Sequence, residues 1–355
     1  MTALVRDVSV AAVDDLVFLE PADERWLALA ASCSGANIFH HPAWSALMAE
    51  CYGYRPFVVA APDEGDGLRA GLPMIEMRRP IARRRWVSLP FTDHCAPLYR
   101  DPESLEALTG GLARLSKGRH TPDIEVRWPL APRPEVWAHS QHVLHTLQLG
   151  ADVDEVARRI KKKHRRLARA AEQRGVRVVW GETRQHLDLY YQLHLRTRRR
   201  LGVPVQPRRF FDLLWQRLIA PGLGFMLLAW RGDECLAGAV FLHWQQTLTY
   251  KYSALDDRAR PLSPNDLLLW TAIRWGCEHG FTTFDMGRTG LENTGLRQFK
   301  GRWGAQEMPL VYSTFSAAPP SIGHGRLLSL ARRVIRGSPP WVCRVAGELL
   351  YGRFG

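Results

Sequence analysis

Apolar and polar residues follow the same order twice along this chain. Two apolar runs, Phe57–Ile75 and Phe225–Leu242, are each broken by a short turn rich in Gly and Asp, and this pattern predicts a β-hairpin in each run. The second predicted strand of each hairpin contains an Ala-Gly step, at Gly71 and at Gly238. A repeated pattern of this size predicts a duplicated structural unit.

The flanks of the two hairpins also match. A helical pattern precedes each hairpin, a second helix follows it after further strand-like sequence, and a short apolar strand comes last. The predicted helices are Pro42–Cys51, Arg208–Leu218, Pro102–Leu115 and Pro264–His279, and the predicted final strands are Ile124–Trp128 and Thr282–Met286. The order hairpin, strand, helix, strand in both halves predicts an α/β protein with two tandem domains that meet near residue 150.

A basic segment opens the second half. Apolar residues at helical spacing predict one amphipathic helix over Val153–Arg174, capped by Asp152 and ended by Gly175. The apolar stripe of this helix is Val153, Val156, Ile160, Leu167 and Ala171. Lys161–Arg166 is an unbroken run of basic residues that includes His164, and it predicts an anion-binding face, with a solvated helix surface as the alternative.

Charge and cysteine content narrow the choice of partner and compartment. The 355-residue chain has a net charge of +13, which favours an anionic partner. Its six cysteines form no metal-ligand spacing and indicate reduced thiols. The N-terminus lacks a signal-peptide pattern and no apolar stretch is long enough to span a membrane, so we expect a cytoplasmic protein without bound metal.

The composition changes again in the tail, residues 317–355. Pro-Pro pairs separate two short amphipathic patterns, at 327–336 and 341–351. We expect these helices to pack on the body of the protein. Peripheral contact with an anionic membrane surface is the alternative.

The most informative motif lies between residues 281 and 312. Asp285, Gly287 and Arg288 end a strand, and Phe299 and Lys300 follow in a short helical segment ahead of a Trp-Gly pair at Trp303. Only six of the 48 cationic residues are lysine, and Lys300 is the last of them. Lysine is a compact point charge, unlike the planar guanidinium of arginine, so its use here suggests a specific need for that shape.

This motif resembles the C-terminal signature of the FemABX-type aminoacyltransferases and their acyltransferase relatives. The resemblance implies two GNAT-like domains, each with a mixed, mostly antiparallel sheet flanked by helices. It further implies a first, acceptor-side domain at 1–150 and a second domain at 151–316 that carries the basic helix. Several members of the family transfer an amino acid from aminoacyl-tRNA to peptidoglycan precursors, and others act on natural-product amines.

The resemblance also suggests roles for individual residues. Lys300 is expected to stabilise the negative charge that grows in the transition state. Asp93 and His94, in a loop after the strand end at Ser88, are expected to orient or deprotonate the acceptor amine; a turn-forming role is the alternative for Asp93. Further substrate contacts are expected from Phe91, Thr92, Arg199, Tyr252, Asp285, Arg288, Phe299 and Trp303. The tRNA-binding residues are expected to be Lys161, Lys162, Lys163, Arg165 and Arg166.

Three function classes remain open on these grounds. We favour transfer of an amino acid from aminoacyl-tRNA to a small-molecule or peptide amine, with no covalent enzyme intermediate and no bound cofactor. An acyl-CoA- or acyl-carrier-protein-dependent N-acyltransferase is the alternative. The loops that would hold the pyrophosphate of CoA, at 92–97 and 257–265, lack glycine and contain proline, which disfavours CoA in its usual binding mode. A non-enzymatic tRNA- or membrane-binding module is the third class.

Overall fold

The computed structural model of the protein describes residues 15–79, 82–118, 122–316, 319, 335–339, 342–345 and 347. The chain forms two compact units. The first contains the described residues of 1–49, 53–140 and 310–321, and the second contains those of 50–52, 141–309 and 322–355. The predicted domain limits at residues 150 and 316 stay a prediction, and most of the predicted amphipathic tail lies outside the described residues.

The first unit is built on a mixed, mostly antiparallel sheet. Its strand order is β1-β2-β3-β4-β6-β13, with β5 paired to β3, and the pair β4 and β6 runs parallel. The strands are β1 (Val17–Leu19), β2 (Arg55–Pro62), β3 (Leu68–Arg79), β4 (Ala82–Val87), β5 (Leu98–Tyr99), β6 (Asp123–Val126) and β13 (Gln306–Phe315, of which Leu310–Phe315 belongs here). The helices are α1 (Glu24–Ser32), α2 (Pro42–Tyr52, up to Ala49) and α3 (Pro102–Ser116).

The second unit repeats this plan. Its strand order is β7-β12-β11-β10-β9-β8, and β11 and β12 form the parallel pair. The strands are β7 (Val136–Gln148, from Gln141), β8 (Val176–Trp180), β9 (Gly224–Arg231), β10 (Glu234–Trp244), β11 (Thr247–Leu255) and β12 (Thr283–Gly290). The α-helices are α4 (Val153–Arg159), α5 (Lys162–Gln173), α6 (Arg184–Leu201), α7 (Arg208–Leu214), α8 (Pro264–Glu278) and α9 (Thr294–Arg302).

The predicted duplication is confirmed by the pairing of the strands. The hairpin β2-β3 of the first unit and the hairpin β9-β10 of the second are both antiparallel and occupy corresponding places in their sheets. In each unit a third antiparallel strand follows, then a 15-residue helix, then a strand parallel to the third. The two Ala-Gly steps mark close approaches. A β-carbon on Gly71 would lie 3.0 Å from the Trp26 ring, and one on Gly238 would lie 2.7 Å from the Tyr190 ring.

The predicted basic helix differs from the prediction in two ways. The segment forms two helices, α4 and α5, because Ile160 adopts an extended conformation with ψ of 131°. This break lets Ile160 enter the core, where it is 1% exposed, and lets the Lys161 N–H donate to the Arg302 carbonyl at 2.9 Å. The inner face of α5 consists of His164, Ala168 and Ala171, whereas Leu167 is only half-buried, so the stripe shifts after the break.

Two smaller features complete the second unit. The helix predicted over Arg208–Leu218 begins as α7 and continues as a π-helix, Trp215–Ile219. The segment Asp257–Leu262 is a 3₁₀-helix that leads through Ser263, with φ of 54°, into α8. Among the described residues, no helix combines the length and the apolarity that crossing a membrane requires.

Candidate functional site

The centre of the candidate site in the second unit is a bulge in β12. Asp285 pairs with Thr146 of β7 and Arg288 pairs with Leu144, so Met286 and Gly287 together face one position of the partner strand. The backbone of Gly287 has φ of +71°, which is open to glycine at little cost. The buried Asp285 carboxylate accepts the Gly287 N–H at 2.7 Å and thereby fixes the bulge.

Lys300 reaches this bulge from α9, a helix capped by the side chain of Asn293. Its Nζ donates to the carbonyl oxygens of Gly287 at 2.9 Å and Arg288 at 3.1 Å. Lys300 is only 4% exposed. An ammonium bound by two main-chain carbonyls in a buried site has a fixed position, which is the requirement for stabilising charge without reorganisation.

A second polar group, which no motif of the sequence predicts, lies in the same unit. Arg297 of α9 forms a bidentate contact with Glu307, with nitrogen–oxygen distances of 3.0 and 2.6 Å. His145 of β7 is fully buried and its Nε2 lies 3.2 Å from Glu307. Burial and the nearby Lys300 charge lower the pKa of His145, so its neutral form is favoured. No local sequence signal marks this group, because it joins residues more than 150 positions apart.

Phe299 and Trp303 pack against a histidine of the basic segment. The His164 ring lies 5.7 Å from the Phe299 ring at 85° and 5.5 Å from the Trp303 ring at 43°. His164 Nδ1 lies 2.5 Å from the Asp266 carboxylate in the first turn of α8. His164 is therefore a buried partner of Asp266, and it is not part of the cationic face that the sequence predicts.

The remaining cations of the basic segment do form an outer face. Lys161, Lys162, Lys163 and Arg166 are exposed and Arg165 is half-buried. Within the described residues, none of the five makes an ion pair. By contrast, Arg158 and Arg159 in the preceding helix pair with Asp152 and Glu155.

Three other predicted substrate-binding residues lie elsewhere in the second unit. Arg199, on α6, is half-buried and donates from Nε to the carbonyl of Ser338 at 2.5 Å. Tyr252, on β11, is half-buried within an aromatic cluster that includes His194 at 6.0 Å. Arg288 is half-buried on β12, directly after the bulge. Of the predicted residues in this unit, Asp285 and Lys300 both bond to the main chain of Gly287, and Lys300 also bonds to the carbonyl of Arg288. Phe299 and Trp303 lie close to Lys300 in sequence.

The first unit holds the loop that carries Phe91, Thr92, Asp93 and His94. Leu89 and Phe91 both have positive φ, 61° and 64°, an uncommon conformation for side chains of this size. The Thr92 hydroxyl donates to the Leu89 carbonyl at 2.6 Å, and Arg127 donates to the Thr92 carbonyl at 3.0 Å. Strained backbone that is held this firmly often marks a functional site.

Asp93 and His94 follow directly. Asp93 is half-buried and its carbonyl accepts the hydroxyl of Tyr312 at 2.7 Å, while Arg127 stacks over the Tyr312 ring at 5.6 Å. His94 is 8% exposed, and its ring lies 5.7 Å from the ring of Trp128. Asp93 and His94 thus belong to the first unit and Lys300 to the second.

A cysteine nucleophile is disfavoured in this loop. Cys95 lies 3.7 Å from His40 Nε2, but it is buried, and burial raises the pKa of the thiol. Burial also lowers the pKa of His40 to about 4. A buried neutral thiol beside a neutral imidazole is inert.

A cavity of about 610 Å³ lies in the first unit beside this loop. The end of α1 at Ser32, the segment from Ala96 to Arg100, and Trp128 line it. Trp128 thus contacts both the cavity and His94. Within the described part of the chain, no cluster of His, Cys, Asp and Glu has the composition of a metal site.

Comparison with known proteins confirms the fold. The family model for an acetyltransferase (GNAT) domain matches residues 156–301, which is less than half of the chain. The crystal structure of FemX is similar with a TM-score of 0.66 at 15% identity, covering 82% of this chain and 94% of FemX. A search of curated proteins finds no match.

Two further solved structures share the architecture. L-PGS from Bacillus licheniformis has a TM-score of 0.53 at 14% identity, covering 90% of this chain and 99% of that one. A tandem GNAT protein from the clavulanic acid biosynthesis pathway has a TM-score of 0.53 at 10% identity, covering 86% and 100%. At these identities the comparisons show the fold, so the predicted resemblance to Fem-type tandem GNAT proteins is confirmed at that level.

Proposed function

We propose that this protein is an aminoacyltransferase that moves an amino acid from aminoacyl-tRNA to the amine of a small-molecule or peptide acceptor. The observation that carries the proposal is the buried ammonium of Lys300, held by the carbonyls of Gly287 and Arg288 in a GNAT fold. The likeness in fold to FemX supports it. An acceptor of the peptidoglycan-precursor or natural-product type fits this chemistry.

The proposed reaction is direct aminolysis. The acceptor nitrogen attacks the ester carbonyl, a C–N bond forms, and the carbonyl oxygen becomes negatively charged. Lys300 stabilises this charge, or the adjoining terminal phosphate, from a fixed position. A general base removes the amine proton, the carbonyl re-forms as the C–O bond to the ribose breaks, and the leaving ribose oxygen takes up a proton. No acyl-enzyme forms.

The exposed cations of α5 support tRNA as the donor. Lys161, Lys162, Lys163 and Arg166 form no ion pair with a described acid, and phosphate contacts from such cations give salt-dependent affinity. The segment runs directly from α5 into β8, through the turn at Gly175, without a long helical arm. A limited contact, for example with the acceptor stem, is therefore part of the proposal.

The start of α8 argues against CoA in its usual binding mode. In a typical GNAT domain, backbone N–H groups at this kind of helix N-terminus hold a pyrophosphate. Here the helix begins with Pro264, which has no N–H, and Asp266 places a carboxylate in the first turn. His164 Nδ1 lies 2.5 Å from that carboxylate and pairs with it. An acyl-CoA-dependent transfer is the alternative that this geometry disfavours.

One assay separates the candidates. The protein is incubated with a mixture of aminoacyl-tRNAs and, separately, with acetyl-CoA and longer acyl-CoAs, in the presence of a panel of amines that contains amino sugars, diamines and lysine peptides. We expect an amine to gain the mass of an aminoacyl group only with tRNA, and the gain to vanish after ribonuclease treatment. Transfer from acyl-CoA that is insensitive to ribonuclease would replace the proposal with its alternative. Salt-sensitive tRNA binding without any transfer would point to a non-enzymatic module.

A further inference from the structure

His164 is unusual among the basic residues around it because it faces inward. It is 6% exposed, whereas Lys161, Lys162 and Lys163 are exposed. Its Nε2 is buried and has no hydrogen-bond partner among the described residues, so Nδ1 and the ring make its contacts. The Asp266 carboxylate fixes Nδ1, and the ring faces Phe299 and Trp303. Phe299 immediately precedes Lys300 on α9, and Trp303, three positions after Lys300, follows the last residue of this helix.

Two backbone features bring the same segments together. The Lys161 N–H donates to the Arg302 carbonyl at 2.9 Å, at the C-terminal end of α9. Gly304 has φ of +80°, and a β-carbon there would lie 3.0 Å from the Arg159 carbonyl oxygen. The break between α4 and α5 therefore packs against the end of the helix that carries Lys300.

We propose that His164, held by Asp266, is a positioning residue for Lys300. Its ring keeps α9 in the register at which the Lys300 ammonium meets the carbonyls of Gly287 and Arg288. Because His164 belongs to the basic segment, it also links the cationic face of α5 to Lys300. The expected effect on turnover rests on the proposed function. The positioning of Lys300 does not, because it is a property of the fold.

The positioning is measured through the reactivity of Lys300. An amine-reactive reagent such as N-hydroxysuccinimidyl acetate labels lysines at a rate set by their exposure, and mass spectrometry of peptides resolves all six lysines. Lys300 is 4% exposed and Lys117 has a side chain 64% exposed, so Lys117 is an internal reference. In the wild type we expect Lys300 to be labelled much more slowly than Lys117.

The test variant is His164→Asn. Asparagine retains a donor near the position of Nδ1 but lacks the ring that reaches Phe299 and Trp303. Without that ring, the labelling of Lys300 should rise roughly tenfold relative to Lys117. Misplacement of Lys300 should lower kcat by about ten- to a hundredfold. The dissociation constant for tRNA should stay within about twofold, because the exposed cations of α5 are unchanged.

Two control variants distinguish positioning from a general loosening. Gln173→Ala changes an exposed residue of the same helix and should leave both the labelling and the turnover at wild-type values. Ile273→Val weakens the core of the same unit at a fully buried position of α8 and should leave Lys300 protected. A similar rise in Lys300 labelling with Ile273→Val, or no rise with His164→Asn, would overturn the inference. If the wild type transfers nothing from tRNA, the proposed function fails while the labelling still decides the role of His164.

Discussion

Replacing Lys300 by Met is the sharpest perturbation of the candidate site. Methionine keeps the length and most of the apolar stem of lysine but deletes the ammonium. The change leaves the carbonyls of Gly287 and Arg288 without this donor, at a cost of about 1–3 kcal/mol each if no water replaces it. It also removes the penalty for burying a charge, which is several kcal/mol. Because the two effects oppose each other, we expect the free energy of unfolding to fall by only about 1–3 kcal/mol.

The effect on turnover should be larger. Removal of one preorganised charge contact at a developing oxyanion typically lowers the rate by about 10²–10³, or roughly 3–4 kcal/mol in the barrier. Lys300→Arg should restore little, because a planar guanidinium with five donors does not fit a site 4% exposed that offers two carbonyls to a compact ammonium. Lys117→Met, an identical change on the surface of the first unit, is the matched control.

The assay combines kinetics with denaturation. Turnover with charged tRNA is measured at saturating donor and acceptor, and urea unfolding of the same preparations gives the stability. A folded Lys300→Met protein with turnover within about threefold of the wild type would refute a catalytic role for this ammonium. A loss of stability above about 5 kcal/mol, with loss of turnover, would instead show that Lys300 serves mainly to hold the bulge.

Three further predictions concern charge, backbone conformation and burial. The basic residues of the cationic face are replaced by Gln one at a time; they are Lys161, Lys162, Lys163, Arg165 and Arg166. In filter binding, the slope of the logarithm of tRNA affinity against the logarithm of salt concentration should become less steep by roughly 0.7–0.9 for each phosphate that is no longer bound. Gly304→Ala should lower the free energy of unfolding, measured in urea, by about 1–3 kcal/mol, because φ is +80° and the Arg159 carbonyl is close. The control Gly301→Ala lies in open space on α9 and should leave the free energy of unfolding unchanged or raise it by up to about 1 kcal/mol. Burial lowers the pKa of His40 from 6.5 to about 4 and that of His194 from 6.5 to about 3, so in this range the unfolded chain binds protons that the folded protein does not. For each residue the free energy of unfolding should therefore fall by up to about 1.4 kcal/mol per pH unit as the pH drops from 6.5 to the folded pKa, and His194→Phe should flatten this dependence in urea unfolding.

The sequence predicted the repeated framework well, for a physical reason. The hairpins depend on runs of apolar residues and on turn residues, which act over a few positions. The structure forms the predicted strands at Arg55–Pro62, Leu68–Arg79, Gly224–Arg231 and Glu234–Trp244. The helices that follow them begin at Pro102 and Pro264, as expected from proline at the first helical position.

The parts that the sequence did not predict depend on tertiary contacts. The continuous helical pattern of the basic segment conceals the break at Ile160, because this residue gains more from burial in the core than from continued helix. His164 reads as one more cation in a run, and only the fold brings Asp266 to it from 102 positions away. The contact between His145 and Glu307 is likewise invisible to any local pattern.

The preference for lysine at position 300 follows from the site itself. In a chain whose cations are mostly arginine, a guanidinium here would bury five donors where the bulge offers two carbonyl oxygens, at 2.9 and 3.1 Å from Nζ. Gly287 creates those acceptors by allowing the bulge, and the Asp285 carboxylate fixes the bulge through the Gly287 N–H. The three elements of the motif therefore depend on one another: the glycine allows the bulge, the aspartate fixes it, and the lysine binds its carbonyl oxygens. Removing any one should disturb the other two, so Asp285→Asn should raise the labelling of Lys300 relative to Lys117.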